Sequence, residues 1–274
     1  MIPKQIYMTK FLSFSSGSSG NCYYIGNDDI SLLIDMGVSS RSLVKSFKSF
    51  DLNINNLAMI LVTHDHMDHI KFLGPAAKKF SVPVYATAKV HKAMTTHPCT
   101  KGYLEGCKRV VKINTLVENR GIKFVPFYVP HDATETVGYY IDFFSHRFVF
   151  ITDCGAITPE AINYCRQAEN IIIESNYDSQ MLKTGPYPAM LKKRIVSGYG
   201  HLSNLECGEV LKKIYHKGLN NIFLCHLSGV NNMPDLAYEH SKKALSEIGV
   251  KVGQNVNLSC LPRRTPSEIL YLDK

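Results

Sequence analysis

The 274-residue chain contains no tryptophan, and no apolar run approaches the ~20 residues that a bilayer-spanning helix needs. Asp, Lys, Gly or Ser interrupts every candidate, which excludes a helical membrane protein. Met1 to Lys10 carry some positive charge, but the apolar run that follows, Phe11-Leu12, breaks at Ser13, too soon for the core of a secretory signal. Paired cysteines are also missing. The eight cysteines (22, 99, 107, 154, 165, 207, 225, 260) lack the short spacings of a zinc finger or a redox motif. With no export signal, they read as reduced, mostly buried thiols in a cytoplasmic protein. No internal repeat is present at solenoid periods.

What is present is ordinary for a globular chain, with 45% hydrophobic and 20% charged residues. The length suits one domain over residues 1–274 built around a sizeable core. A formal charge of +8 favours a polyanionic partner, because neutralised phosphates release counterions. The basic residues fall as scattered groups (Lys78-Lys79, Lys108-Arg109, Lys192-Lys193-Arg194, Lys212-Lys213, Lys242-Lys243, Arg263-Arg264). Each taken singly reads as a solvated face.

Strand-like runs come early, at Phe11–Phe14, Cys22–Ile25 and Ser31–Ile34, separated by Gly/Ser/Asn/Asp turns. A helix is expected from Ser40, where Leu43, Val44 and Phe47 share a face, and a buried strand at Met59–Val62. Further strands are expected at Val82–Tyr85, Arg109–Ile113, Ile122–Val129, Thr136–Phe143, Arg147–Ile151, Ile171–Ile173 and Ile222–Cys225, with a Ser145-His146 turn. Helices are expected at Pro159–Arg166, Asn204–His216 and Asp235–Glu247. His91–Cys107 reads as a helical insertion or a mobile lid. Two runs of sheet, each followed by helices, predict an α/β four-layer αββα sandwich.

The chemistry lies in His64-Asp65-His66-Met67-Asp68-His69, directly after a buried strand. Catalytic metals need imidazole and carboxylate ligands on rigid elements with an open coordination position, and His64, His66, Asp68 and His69 supply both ligand types. Two metals need more, and His131, Asp153 and His226 each follow an expected strand. Any one alone reads as a hydrogen-bonded histidine or a turn aspartate. Their shared strand-end position and their order suggest His64, His66, His131 and Asp153 on one divalent ion, and Asp68, His69, His226 and Asp153 on the other. Zinc suits these ligands, as do manganese and iron.

The series His-x-His-x-Asp-His, an isolated His, a strand-end Asp and a late His resembles that of the metallo-β-lactamase superfamily, over Phe11 to His226. The Ser-Gly-Ser-Ser-Gly-Asn stretch ending at Asn21, Glu174-Ser175-Asn176-Tyr177-Asp178 and Gly200-His201-Leu202-Ser203-Asn204 resemble the YycJ/WalJ-type group of bacterial nuclease-like proteins. Ribonuclease Z is similar at a greater distance. Cys22 stands where a serine would fit the group better. The resemblance implies phosphodiester cleavage, on DNA rather than RNA, with 5′-to-3′ exonuclease activity leading.

For such a reaction the expected nucleophile is a hydroxide shared by the two metals, oriented by Asp68. No ligand is free to protonate the leaving oxygen. The resemblance matches a Glu and His pair to Glu174 and His201 for that step; the alternative is that His201 caps the next helix with Ser203. Ser203 and Asn204 at that helix start, and Ser228 beside Gly229, read as phosphate contacts or as plain turns. The histidines at 91, 97, 146, 216 and 240 read as surface or packing residues. The same metal core serves lactone and thioester hydrolases, and a non-catalytic binding protein is a third reading.

Overall fold

The computed structural model describes residues 8–272. The first half gives β1 (Thr9–Gly17), β2 (Gly20–Gly26), β3 (Ser31–Ile34), α1 (Ser40–Ser49), β4 (Leu57–Leu61), α2 (Met67–Ile70), α3 (Leu73–Phe80), β5 (Val84–Thr87), α4 (Ala88–Thr96) and β6 (Lys108–Val111). The second gives β7 (Val117–Asn119), β8 (Ile122–Tyr128), β9 (Val137–Phe143), β10 (His146–Ile151), α5 (Pro159–Cys165), β11 (Asn170–Glu174), α6 (Ser179–Thr184), α7 (Ala189–Ile195), α8 (Asn204–Ile214), β12 (Asn221–Cys225), α9 (Pro234–Glu247), β13 (Asn257–Cys260) and β14 (Leu270–Leu272). Two seven-stranded sheets result, ordered β14-β1-β2-β3-β4-β5-β6 and β13-β12-β11-β10-β9-β8-β7.

The alternation of side chains along each strand builds three apolar layers. Phe11, Tyr23, Ile25, Leu32, Ile34, Met59 and Leu61 of the first sheet meet Phe124, Tyr139, Ile141, Phe148, Phe150, Ile172 and Phe223 of the second. The alternate residues Leu12, Phe14, Cys22, Tyr24, Leu33, Ile60 and Val62 pack beneath Leu43 and Phe47 of α1, Leu73 of α3 and Met94 of α4. On the far side Val149, Ile151, Ile171, Ile173 and Leu224 pack beneath α5, α8 and α9. Strands buried on both faces explain the unbroken apolar runs at Met59–Val62 and Ile171–Ile173. The layers are helix, sheet, sheet, helix, as expected.

In both sheets the strands carrying the motif residues are parallel: β3 to β6 in one, β10 to β13 in the other. Parallel strands deliver their carboxyl ends, and the loops after them, to one edge, where α/β sheets commonly bind ligands. His64, Asp153, Glu174 and His226 all lie there.

Three expectations change. The turn before β10 is Phe144-Ser145, both with positive φ (48° and 81°), and His146 already pairs with Phe143, giving a two-residue hairpin. The segment from His91 is no lid: α4 is the crossover between β5 and β6, with Val90, His91 and Met94 buried, and Thr100 and Leu104 are buried beyond it. The strand expected at Arg109–Ile113 starts one residue earlier and stops at Val111. Among the described residues, no helix is long and apolar enough to cross a membrane.

Candidate metal centre

Every motif side chain hangs from a strand end or the short helix after β4. His64 follows that strand, His66 is the N-cap of α2, and Asp68 and His69 ride its first turn. Asp65, pointing away, accepts from Thr134 N (3.1 Å) and Thr134 Oγ1 (2.6 Å), tying the motif loop to the loop that carries His131. Asp153 and His226, just past β10 and β12, and Asp35, just past β3, share left-handed backbone (φ 53°, 53° and 58°). That conformation costs about 1 kcal/mol or more for an L residue, so the surrounding structure holds it in place. Close approach does the same at Gly37, where a Cβ would stand 1.8 Å from the Asp68 carbonyl oxygen.

One potential ligand atom from each of His64, His66 and His131 lies within 4.8 Å of the others, and the same holds for Asp68, His69 and His226. Asp153 stands between the groups: Oδ2 is 3.0 Å from His69 Nε2, while Oδ1 is 3.7 Å from His131 Nε2 and 3.3 Å from His226 Nδ1. Four imidazoles are fixed from behind through Nδ1. His69 donates to Asp35 Oδ2 (2.7 Å), His131 to the Gly200 carbonyl (2.9 Å) and His226 to Glu174 Oε1 (2.8 Å). Thr63 Oγ1 donates its one proton to Asp35 Oδ2 (2.8 Å), so at 3.0 Å it accepts from His64 Nδ1. All four rings therefore present Nε2 to the centre, the arrangement that orients imidazole ligands to metals.

The chemistry of this donor set fits divalent cations. Nε2 of His64 and of His226 are buried without a hydrogen-bond partner among the described residues, with Asp68 Oδ2 3.5 Å from the latter. Burial and the neighbouring His69 ring push the His64 pKa well below the usual imidazole value, and burial lowers His131, leaving both neutral and able to coordinate. Burial opposes charge at His69 too, but Asp153, Asp35 and Asp68 outweigh it and hold the ring well above the ordinary value. His226 behaves alike: against burial, Asp153 and Asp68 bring it up to about 10. A bound cation would take over from those protons the balancing of the two carboxylates.

Comparison with known proteins agrees. Residues 31–222 match the family model of the β-lactamase superfamily domain. The chain belongs to the β-lactamase superfamily. This superfamily member is 34% identical to exodeoxyribonuclease YycJ of Bacillus anthracis, over 96% of the chain and 98% of that protein. It is 30% identical to exodeoxyribonuclease WalJ of Streptococcus pneumoniae, over 89% and 91%. Among solved structures, the metallo-β-lactamase fold protein YhfI of Bacillus subtilis superimposes with a TM-score of 0.68 at 18% identity, covering 96% of this chain and 99% of that one.

In this β-lactamase-superfamily chain Glu174 and His201 do meet, at 2.8 Å from Oε1 to Nδ1. Oε1 also takes the His226 bond, and Oε2 accepts from Cys154 N and Leu202 N, both at 3.0 Å. Glu174 is fully buried with both oxygens engaged, so it positions His201 and His226 and does not itself reach the cavity. Burial notwithstanding, its two histidine partners hold its carboxyl down at about 2. Glu174 in turn outweighs burial at His201 and raises that imidazole. The His201 side chain is 20% exposed and lines a cavity with His226, Ser18, Asn176, Arg194 and Ser228.

Ser228 is thus at the cavity, whereas the Ser203 and Asn204 side chains are buried and do not line it, as the alternative reading of a turn at the helix start expects. Ser203, not His201, caps α8, in a capping box with Glu206. The Asn204 side chain is buried, accepting from Ser175 Oγ (2.7 Å) and bonding Asn232 (2.9 Å). Both residues serve the fold. His91, His216 and His240 contact Arg109 O, Ala168 O and Asp178, away from the centre.

Sequence reasoning missed Asp35, Thr63 and Asn21. Asn21 Nδ2 lies 3.2 Å from Asp68 Oδ2 and 2.9 Å from His69 Nε2. Asp35 carried a usable signal, because Ile34-Asp35-Met36-Gly37 is a strand followed by Asp, the rule that found Asp153.

Proposed function

We propose that the protein is a two-metal phosphodiesterase that degrades DNA as a 5′-to-3′ exonuclease. The observation that carries this reading is the Glu174–His201 pair set against seven convergent ligands, in a chain that aligns almost end to end with proteins named exodeoxyribonucleases. His64, His66, His131 and Asp153 would hold one divalent cation, and Asp68, His69, His226 and Asp153 the other. When bound, the cations supply Lewis-acid polarisation of a phosphoryl oxygen and lower the pKa of water at the site.

The chain's own groups do the rest. The Asp68 side chain, 21% exposed, faces the centre and orients the attacking water. His201, kept protonated by Glu174, donates Nε2–H to the leaving oxygen, since Nδ1 is tied to the carboxylate. Glu174 fixes which ring nitrogen does this.

The test is digestion of 5′- and 3′-labelled DNA and RNA strands by metal-loaded protein, beside Asp68→Ala and His201→Ala. Stepwise loss of DNA beginning with the 5′ label, abolished in Asp68→Ala and slowed about 100-fold or more in His201→Ala, is expected. Intact DNA after incubation with fully metallated protein refutes the reading.

A further inference from the structure

One basic pair has no part in the centre yet lies beside it. Arg263 and Arg264 line a cleft of about 450 Å³ together with Ser18, Ser19 and Gly229. This cleft shares Ser18 with the cavity that contains His201 and His226. It shares Ser19 and Arg264 with a groove running on to Ser39 and Ser42 at the start of α1. A continuous path therefore leads from the candidate metals over the β1–β2 turn, with two guanidinium groups along it.

Two features set the pair apart from an ordinary solvated face. First, their charge is uncompensated. Arg194, at the other side of the cavity, is paired with Asp132, and Arg147 with Glu169. Among the described residues neither Arg263 nor Arg264 has such a carboxylate. Arg263 Nη1 donates to the Ser228 carbonyl (2.7 Å), using one of its five N–H groups. Arg264 makes no hydrogen bond or ion pair among the described residues. Second, their backbone is fastened on both sides: Leu261 N to Leu224 O (2.8 Å), Ser16 N to Pro262 O (3.2 Å), Ser15 Oγ to Arg263 O (2.8 Å) and Ser267 N to Ser13 O (2.8 Å). Its bond to Ser228 also links Arg263 to the residue two positions beyond His226.

Unpaired arginines on a fixed backbone beside a phosphate-cleaving centre form a preorganised anion site, since the guanidinium fork matches two phosphate oxygens. We propose that Arg263 and Arg264 grip the sugar–phosphate backbone of the DNA strand next to the scissile phosphate, with Ser18 and Ser19 lining the same track. The subsite rests on the nuclease reading and extends it, by giving the enzyme a hold on a polymer that a small phosphodiester would not use.

The experiment is fluorescence anisotropy with a short labelled DNA strand across a salt series, in an Asp68→Asn background that leaves the strand uncut. Arg263→Gln, Arg264→Gln and the double variant are compared with that parent, while wild-type degradation of the same strand is followed in parallel. The double variant is expected to bind about tenfold or more weakly, and the slope of log affinity against log salt is expected to fall by about 1.4, or ~0.7 for each lost phosphate contact. Arg264→Gln breaks no bond in the fold, so it carries the test if Arg263→Gln fails to fold. Unchanged affinity and slope in folded variants overturn the subsite while wild-type degradation upholds the nuclease reading. A parent that does not bind DNA overturns the subsite, and if the wild type also degrades none, the nuclease reading falls by its own measurement.

Discussion

Nδ1 of His69 lies 2.7 Å from Oδ2 of Asp35, and neither side chain is exposed. Asp35 also accepts from Thr63 N and Thr63 Oγ1, both at 2.8 Å, and that hydroxyl in turn fixes the His64 ring. One carboxylate outside the ligand set thus determines which nitrogen two candidate ligands present, one in each metal group. It sits at the end of β3, the strand next to the one that delivers the motif.

Asp35→Asn is expected to lower divalent-metal affinity about 10- to 100-fold, the usual cost of losing a group that orients a ligand. The amide can still accept from Thr63 N, but its NH2 turned toward His69 favours the wrong tautomer. Competition with a chromogenic chelator measures the loss. Affinity equal to the wild type's would remove Asp35 from the design of the centre.

His201 gives a pH dependence whose sign follows from its raised pKa. Glu174 stabilises the imidazolium against burial, so the proton is lost only as pH rises through a value above the ordinary ~6.5. The kcat profile should therefore fall on its alkaline side. Glu174→Gln removes the charge that raises His201, and the alkaline limb should move toward lower pH; in His201→Asn that limb should vanish with a low, flatter rate. An alkaline limb that stays in place in Glu174→Gln would assign it to another group.

These positions show how far the sequence carried. The apolar runs of β4, β10, β11 and β12 are unbroken because both faces are buried, so the strands and the residues after them were legible without tertiary information. β14 was not: three residues, Leu270–Leu272, pair with Thr9–Phe11 from the other end of the chain, and no local period announces such a contact. Asp35 escaped for a different reason: it shares the strand-end position of Asp153, but it lies outside the ligand set, and its role appears only once His69 folds against it. At Ser203 two readings were open, phosphate contact or plain turn, although the spacing of Ser203 and Glu206 is that of a capping box, a local signal for the helix start.

Thiol accessibility tests the core independently of any metal. Cys22, Cys154, Cys165, Cys207 and Cys225 are buried, while Cys99, Cys107 and Cys260 are partly exposed. Burial pushes the thiols of Cys165 and Cys207 up, Cys207 to about 12, so the reactive thiolate is scarce as well as shielded. Alkylation of the native protein near pH 8 should mark only positions 99, 107 and 260, with the other five appearing after denaturation. Mass-spectrometric detection of native labelling at Cys207 would contradict the packing of α8 on the second sheet, and at Cys225 the packing of the two sheets against each other.

Metal removal should destabilise the fold, because the ligands come from four separate chain segments, after β4, β8, β10 and β12, that only the folded chain brings together. A ligand that binds the folded state alone adds about 2.7 kcal/mol when present at ~100 times its dissociation constant. For a chain of this size that corresponds to a fall in Tm of roughly 5 °C or more on chelation. The chelated centre does not collapse outright, since raised pKa values at His69 and His226 let protons balance Asp68 and Asp153. That compensation is complete below the unfolded-state imidazole pKa and is lost as pH rises through the folded values, so the gap between loaded and chelated Tm should widen with increasing pH. Scanning calorimetry of protein with a measured metal content decides it: a Tm indifferent to chelator at every pH would mean that the seven convergent residues hold no structural cation, whereas recovery on adding back zinc, manganese or iron in turn would rank the metals the centre accepts.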